Sequence, residues 1–164
     1  MPNELSDGEC ISLLGRYKTP KEIVAHCEAV SRKALQIAES LHSNCRIDRA
    51  LVKSAALLHD IARTEKNHAR TGFNFLLSCG YPCVAEIVLA HHNLEFKDLE
   101  TLTESTIVFY ADKLIYGIYE VTIDERFAIS LARCSTPEAY TSHQLQYNQA
   151  LKAQILINSL TIQQ

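Results

Sequence analysis

From Ile23 to Leu41 the apolar side chains Ile23, Cys27, Val30, Ala34, Ile37, Ala38 and Leu41 recur at spacings of three and four, a period that an α-helix turns onto one face. The same period runs through almost the whole chain, and no strand-like alternation with hairpin turns interrupts it. An all-α fold is expected. Helices are predicted over 8–17, over 19–43, from a cap at Asp48 to about residue 62, over 68–80, from Pro82 through "PCVAEIVLAHH", and over 103–118, 123–134 and 137–160. Thr19 reads as the N-cap of the second helix, with Pro20 at the first helical position and Glu22 in the first turn. Gly80 stands where a helix-ending glycine is expected, and Asp124 and Pro137 lie near the starts of the last two helices. The charged run 93–102 reads as a surface loop, and the tail "INSLTIQQ" as a fraying end.

A chain of 164 residues has the size of one domain. Its 16 basic and 19 acidic residues give a formal charge of -3, which argues against a broad electrostatic footprint for nucleic acid or anionic membrane and leaves room for a local basic patch. The opening "MPNELSDGEC" is neither basic nor apolar, and no apolar run approaches the roughly 20 residues of a spanning helix, so a soluble, cytoplasmic protein is expected. Six cysteines are scattered through apolar helical patterns and read as reduced core thiols. Only Cys79 and Cys83, in "CGYPC", lie close together, and no second cluster completes a zinc site with them.

Within this helical frame "SAALLHDIAR", residues 54–63, ends an apolar helix on His59 and Asp60. Adjacent helical side chains point about 100° apart, so the two do not simply bond each other, yet both can reach one ion off the helix end. A carboxylate beside "AALL" is costly unless a cation or several donors satisfy it, and a divalent ion also takes a neutral imidazole. Taken alone, the dipeptide is better read as a capping aspartate beside a hydrogen-bonded core histidine. It is not alone. His26 lies on the long helix with Glu22 one turn before it, and Asp112 emerges from the apolar "IVFYADKL". His68, His91 and His92 also fall on or near apolar helix faces, whereas His42 and His143 lie in polar surroundings and read as surface residues.

The order His26, His59-Asp60, Asp112, with "AHCEAVSRKALQIAE", "AALLHDIAR", "NHARTGFNFLL", "AEIVLAHH" and "ADKL" in sequence, resembles the HD-domain superfamily of metal-dependent phosphohydrolases. The likeness covers roughly residues 20–127. It implies one compact HD-domain helical bundle over 1–164, with a core of about 20–127 on which a short N-terminal helix and the C-terminal helices pack.

The resemblance also implies a site. His26, His59, Asp60 and Asp112 match the ligands of a first divalent ion; His68, His91 and His92 resemble those of a second, and Glu22 resembles a ligand of some multi-metal members. The ion, one or two per chain, can be Fe, Mn, Co, Ni, Mg or Zn. Asp60 would bridge the pair, with a hydroxide between them attacking phosphorus. Asp60 and Arg63 are then the candidate catalytic residues, and Arg63, Lys113, Arg126 and His92 the candidate substrate contacts, although Lys113, next to a ligand, is expected to point away. The implied substrate is a small phosphorylated molecule, a phosphomonoester or phosphoanhydride of a nucleotide or related metabolite, with no nucleic acid polymer and no membrane as partner. "HDIAR" and "ADKL" look more like the compact nucleotide and diadenosine-polyphosphate hydrolases than the cyclic-dinucleotide enzymes, whose GYP signature does not follow His92. Two other readings share the fold: a diiron oxygenase using His26, His59, Asp60, His68, His91 and Asp112, and a non-catalytic metal-binding sensor module.

Overall fold

The amphipathic stretch after Pro20 forms the helix around which the others assemble. The computed structural model describes residues 5–162; the opening residues 1–4 and the last two of the tail expected to fray lie outside them. Among the described residues the elements are α1 (Asp7–Tyr17), α2 (Lys21–Ser40), α3 (Arg49–Leu58), α4 (His68–Ser78), α5 (Pro82–Ala90), α6 (Phe96–Glu100), α7 (Glu104–Lys113), β1 (Ile115–Tyr116), β2 (Tyr119–Glu120), α8 (Ile123–Leu131) and α9 (Pro137–Leu160). The strands pair as one short antiparallel hairpin. The fold is thus all-α apart from that hairpin.

α2 packs on α3 and α7, α3 on α5 and α7, α4 on α5, and α9 on α7 and α8. The buried face of α2 is Cys27, Ala29, Val30, Ser31, Ala34, Ile37 and Ala38, whose many small side chains let neighbouring helices approach. α7 is buried without interruption from Thr106 to Lys113, which makes it the most enclosed helix. Phe109, Leu58, Ile107 and Val88 are among the fully buried side chains. Each contributes about 1.5–3 kcal/mol relative to exposure.

Caps fix the helix starts. Asp48 accepts from the Leu51 amide, and the pairs Ser6 with Glu9 and Thr122 with Glu125 form capping boxes. The C-terminal end of α9 is laced to the end of α2: Leu41 bridges Thr161, and the His42 amide donates to the Leu160 carbonyl at 2.9 Å. Cys10 and Cys27 are buried thiols, and burial lifts the Cys10 thiol to about 12, which keeps it neutral. No helix among the described residues is long and apolar enough to cross a membrane.

Local expectations are corrected at several points. Thr19 does not cap α2; Pro20 is the N-cap, and the Thr19 hydroxyl donates instead to the Ile61 carbonyl at 2.8 Å, tying the start of α2 to the turn after α3. The second helix stops at Ser40, before residue 43, and the third at Leu58, before residue 62, with residues 59–62 in turns. The helix expected over 103–118 ends at Lys113, because Gly117 takes a left-handed φ of 63° and closes the hairpin. The expected surface loop 93–102 contains α6, and in it Leu94 and Asp98 are buried; the Thr103 hydroxyl donates to Asp98 Oδ1 at 2.8 Å.

Candidate metal centre

The early end of α3 is what builds the site. Where its backbone unwinds, His59 and Asp60 turn inward, exposed by only 1% and 5%. The Nδ1–H of His59 donates to the Ala56 carbonyl at 2.8 Å, and that of His91, at the end of α5, to the Val88 carbonyl at 2.5 Å. Both carbonyls belong to the last turn of a helix and have no helical donor left. The Nδ1–H of His26, on α2, donates to the Gly117 carbonyl of the hairpin turn at 2.7 Å. A carbonyl can only accept, so in each ring Nδ1 carries a proton and Nε2 is the atom turned to the interior, where it donates to a carboxylate or, once deprotonated, offers its lone pair to an ion. Metal-ligating imidazoles are oriented in the same way.

The three Nε2 atoms converge on two carboxylates. Asp112, at the end of α7, places Oδ1 at 3.2 Å from His26 Nε2 and 3.5 Å from His59 Nε2. Asp60 turns its two oxygens to different rings: Oδ2 lies 3.7 Å from His59 Nε2, while Oδ1 lies 3.3 Å from His68 Nε2 and 3.4 Å from His91 Nε2. The donor atoms of His26, His59 and Asp60 lie within 4.8 Å of one another, as do those of His68, His91 and His92. His92 Nε2 is 2.6 Å from His68 Nε2. Asp60 stands between the two groups.

These residues fit divalent ions. His59 Nε2, His91 Nε2 and Asp60 Oδ1 are buried and have no hydrogen-bond partner. An unpaired buried polar atom costs about 1–3 kcal/mol, so three in one place mark a group that binds there. Bonds of about 2.1 Å to one ion put neighbouring donors about 3.0–3.4 Å apart; the 3.2, 3.3 and 3.4 Å pairs match this, the His59 pairs at 3.5 and 3.7 Å are slightly wider, and the His68–His92 pair at 2.6 Å is tighter. Electrostatics point the same way. Burial raises the carboxyl of Asp60, but His59, His68 and His91 overcome it and hold the group ionised far below its usual range. Asp112 behaves likewise, with Lys113 the largest opposing influence. Burial would drive His59 neutral, yet the Asp60 carboxylate holds its imidazole well above the ordinary value, so the two acids demand positive charge here. Burial together with His91 and Lys113 pushes His92 down to about 2, which leaves it a neutral donor ring.

The centre opens into a cavity of about 590 Å³. Arg63, Lys113 and Arg126, the sequence-predicted contacts, all line it. Arg63 is 41% exposed; its Nη1 donates to His68 Nε2 at 3.0 Å and its Nε lies 3.7 Å from Asp60 Oδ2. Lys113 does not point away. Its ammonium is buried and donates to Asp112 Oδ2 at 2.7 Å and to the His91 carbonyl at 3.3 Å. It anchors a carboxylate, which the neighbour rule for helices does not foresee because α7 is buried all round. Glu22 lines the cavity but is exposed and touches none of the ligating atoms in the contacts above. His143, expected at the surface, is half-buried in the far wall, where its Nε2 is 2.9 Å from both the Ser130 hydroxyl and the Phe127 carbonyl. Tyr116, Ser130, Arg133 and Gln146 also line that wall, and no motif in the sequence marked them.

The comparisons with known proteins agree with this architecture. The family model described as "HD domain" matches residues 23–117. The uncharacterized protein MJ0778 of Methanocaldococcus jannaschii is 30% identical over 123 residues, covering 64% of this chain and 73% of its own. Ribonuclease Y of Rubrobacter xylanophilus is 31% identical over 110 residues, covering 60% of this chain; the match spans only 21% of the ribonuclease. No solved structure matches.

Proposed function

This chain belongs to the HD domain family, a family of metal-dependent hydrolases, and from that premise we propose that it hydrolyses a phosphomonoester or phosphoanhydride of a nucleotide or related small metabolite. The observation that carries the reading is Asp60, one oxygen turned to His59 and the other to His68 and His91, with unpartnered buried atoms on both sides and a basic cavity in front.

His26, His59, Asp60 and Asp112 would hold one divalent ion, and His68, His91 and His92 a second that shares Asp60. When bound, such ions acidify coordinated water and neutralise the charge that builds on phosphoryl oxygens. The chain's own residues do the rest. Backbone carbonyls of Ala56, Val88 and Gly117 aim the rings, and Lys113 holds Asp112 in place. The exposed guanidinium of Arg63 beside Asp60 offers a planar fork to phosphate oxygens. Ile23, Ile115 and Phe127 supply apolar wall to the cavity in front of the centre.

The basic lining supports an anionic substrate such as a phosphate ester, and oxygen consumption by the iron-loaded protein distinguishes the oxygenase reading. The likeness to ribonuclease Y supports a second reading, cleavage of an RNA phosphodiester. Against it stand a cavity of about 590 Å³, suited to a small metabolite, and a net charge of -3. The deciding assay loads the protein with Mn, Fe, Co, Ni, Mg or Zn and follows phosphate release from nucleoside mono-, di- and triphosphates, dinucleoside polyphosphates and an RNA oligonucleotide. Turnover is expected on a small phosphate ester or anhydride, lost about a hundredfold or more in His59→Ala and in Asp60→Ala with helical content retained. Activity that survives either substitution sinks the proposal; cleavage of RNA alone, or oxygen consumption by the iron-loaded protein, replaces it with the corresponding alternative.

A further inference from the structure

At the far wall of the cavity two arginines share one ring. The Arg126 guanidinium lies 5.7 Å from the Tyr116 ring centroid and that of Arg133 lies 6.0 Å from it, while Arg133 Nη2 donates to the Tyr116 hydroxyl at 2.9 Å. Among the described residues neither arginine has an ion pair with a carboxylate. Arg126 Nε is buried with no hydrogen-bond partner at all. Glu22 is the acid on the cavity lining outside the His and Asp cluster, and it is exposed.

Two guanidiniums without a carboxylate that both contact Tyr116 repel each other, and the ring and its hydroxyl offset only part of that repulsion. A buried arginine N–H left without an acceptor adds to the cost. Both penalties fall when an oxyanion with several acceptor atoms enters the cavity that both arginines line. Arg126 and Arg133 belong to α8 and to the residues just after it, beyond Gly117 where the family match ends. Both arginines therefore lie outside the matched segment, whereas Tyr116 lies within it.

We propose that Arg126, Arg133 and Tyr116 form a second phosphate subsite, and that the substrate carries two phosphate groups: one at the His and Asp centre and a non-reacting one on the arginine pair. The substrate half of this inference rests on the hydrolase reading above. The subsite itself stands on the wall geometry alone. It is a specificity determinant, since it grips a part of the substrate remote from the reacting bond.

The test separates the two. Inorganic phosphate is titrated calorimetrically into the full chain after chelator treatment, so that no metal contributes, and the arginine variants assign the binding to the far wall. One site per chain is expected, weakened tenfold or more by Arg133→Ala and by Arg126→Gln. Arg133 is exposed, so its replacement leaves the helices intact by circular dichroism. No binding to the wild type, or unchanged affinity in both variants, overturns the subsite. On the metal-loaded chain, kcat/KM for adenosine 3′,5′-bisphosphate is expected to exceed that for adenosine 5′-monophosphate by tenfold or more, with the advantage shrinking below twofold in Arg133→Ala. Equal kcat/KM in the wild type overturns the substrate assignment. A chain that binds phosphate through the arginines but turns over no phosphate ester sinks the hydrolase reading and keeps the subsite.

Discussion

Asp112 and Lys113 are adjacent in sequence and both buried, at 6% and 4% exposure, with Nζ 2.7 Å from Oδ2. The pair has a cost and a use. Desolvating two charges is expensive, and their attraction repays it only while both are present. The use is geometric: Lys113 occupies Oδ2 and leaves Oδ1 turned toward His26 and His59. Removing the acid alone strands an ammonium whose remaining contacts are the His91 carbonyl and the Phe109 ring. Asp112→Ala is therefore expected to lower unfolding free energy in chelator by about 3–5 kcal/mol. The double variant Asp112→Ala/Lys113→Met should recover most of that loss, because a methionine fills the space without a charge. Urea denaturation of the three proteins checks it. A single variant within about 1 kcal/mol of the wild type, or a double variant no better than the single, would remove the ion pair from this account.

The hairpin of β1 and β2 looks like a minor connector but aims His26. Its turn residue Gly117 sits at φ 63° and presents its carbonyl to His26 Nδ1. A side chain at that φ costs about 1–2 kcal/mol, which the turn relieves by shifting the carbonyl. Gly117→Ala should thus leave helical content unchanged while weakening metal affinity about 10–100-fold, the usual effect of losing a ligand's outer hydrogen bond. Metal titration followed spectroscopically with Co reads it, and wild-type affinity in the variant would show that the hairpin does not orient the ring. The same hairpin marks where sequence reasoning ran out. The helices of the core are legible because apolar residues recur every three or four positions, whereas His59, Asp60 and Asp112 are legible as ligands only through the ordered motifs that resemble the HD family, since the dipeptide alone reads as a cap beside a core histidine. Strands of two residues carry too little alternation to show, and "ADKLIYG" reads as a continuing helix. α9 was found as a helix, yet its mixed polar surface gave no sign that His143 and Gln146 face a cavity. Which face of such a helix looks inward is set by packing against α7 and α8, and spacing along one helix does not contain that information.

At the scale of the molecule, the candidate ligands come from parts of the chain that have little else in common: His26 from α2, His59 and Asp60 from the end of α3, His68 from the start of α4, His91 and His92 from the end of α5, Asp112 from α7. Two ions bound by them would together cross-link five helices, and only in the folded state, since the unfolded chain scatters these residues over 87 positions from His26 to Asp112. Binding to the native state alone stabilises it by RT ln(1 + [L]/Kd), about 2.7 kcal/mol at a hundredfold excess over Kd. For a chain of this length that free energy corresponds to a rise in Tm of about 5–10 °C. Thermal unfolding followed by circular dichroism should show that rise on loading with Mn or Fe, its reversal by chelator, and its absence in Asp60→Asn, which removes the charge between the two histidine groups while keeping the side chain's size. A wild-type Tm indifferent to every divalent ion tried would mean that these helices meet for some reason other than a metal, and the unpartnered nitrogens of His59 and His91 would need a different occupant.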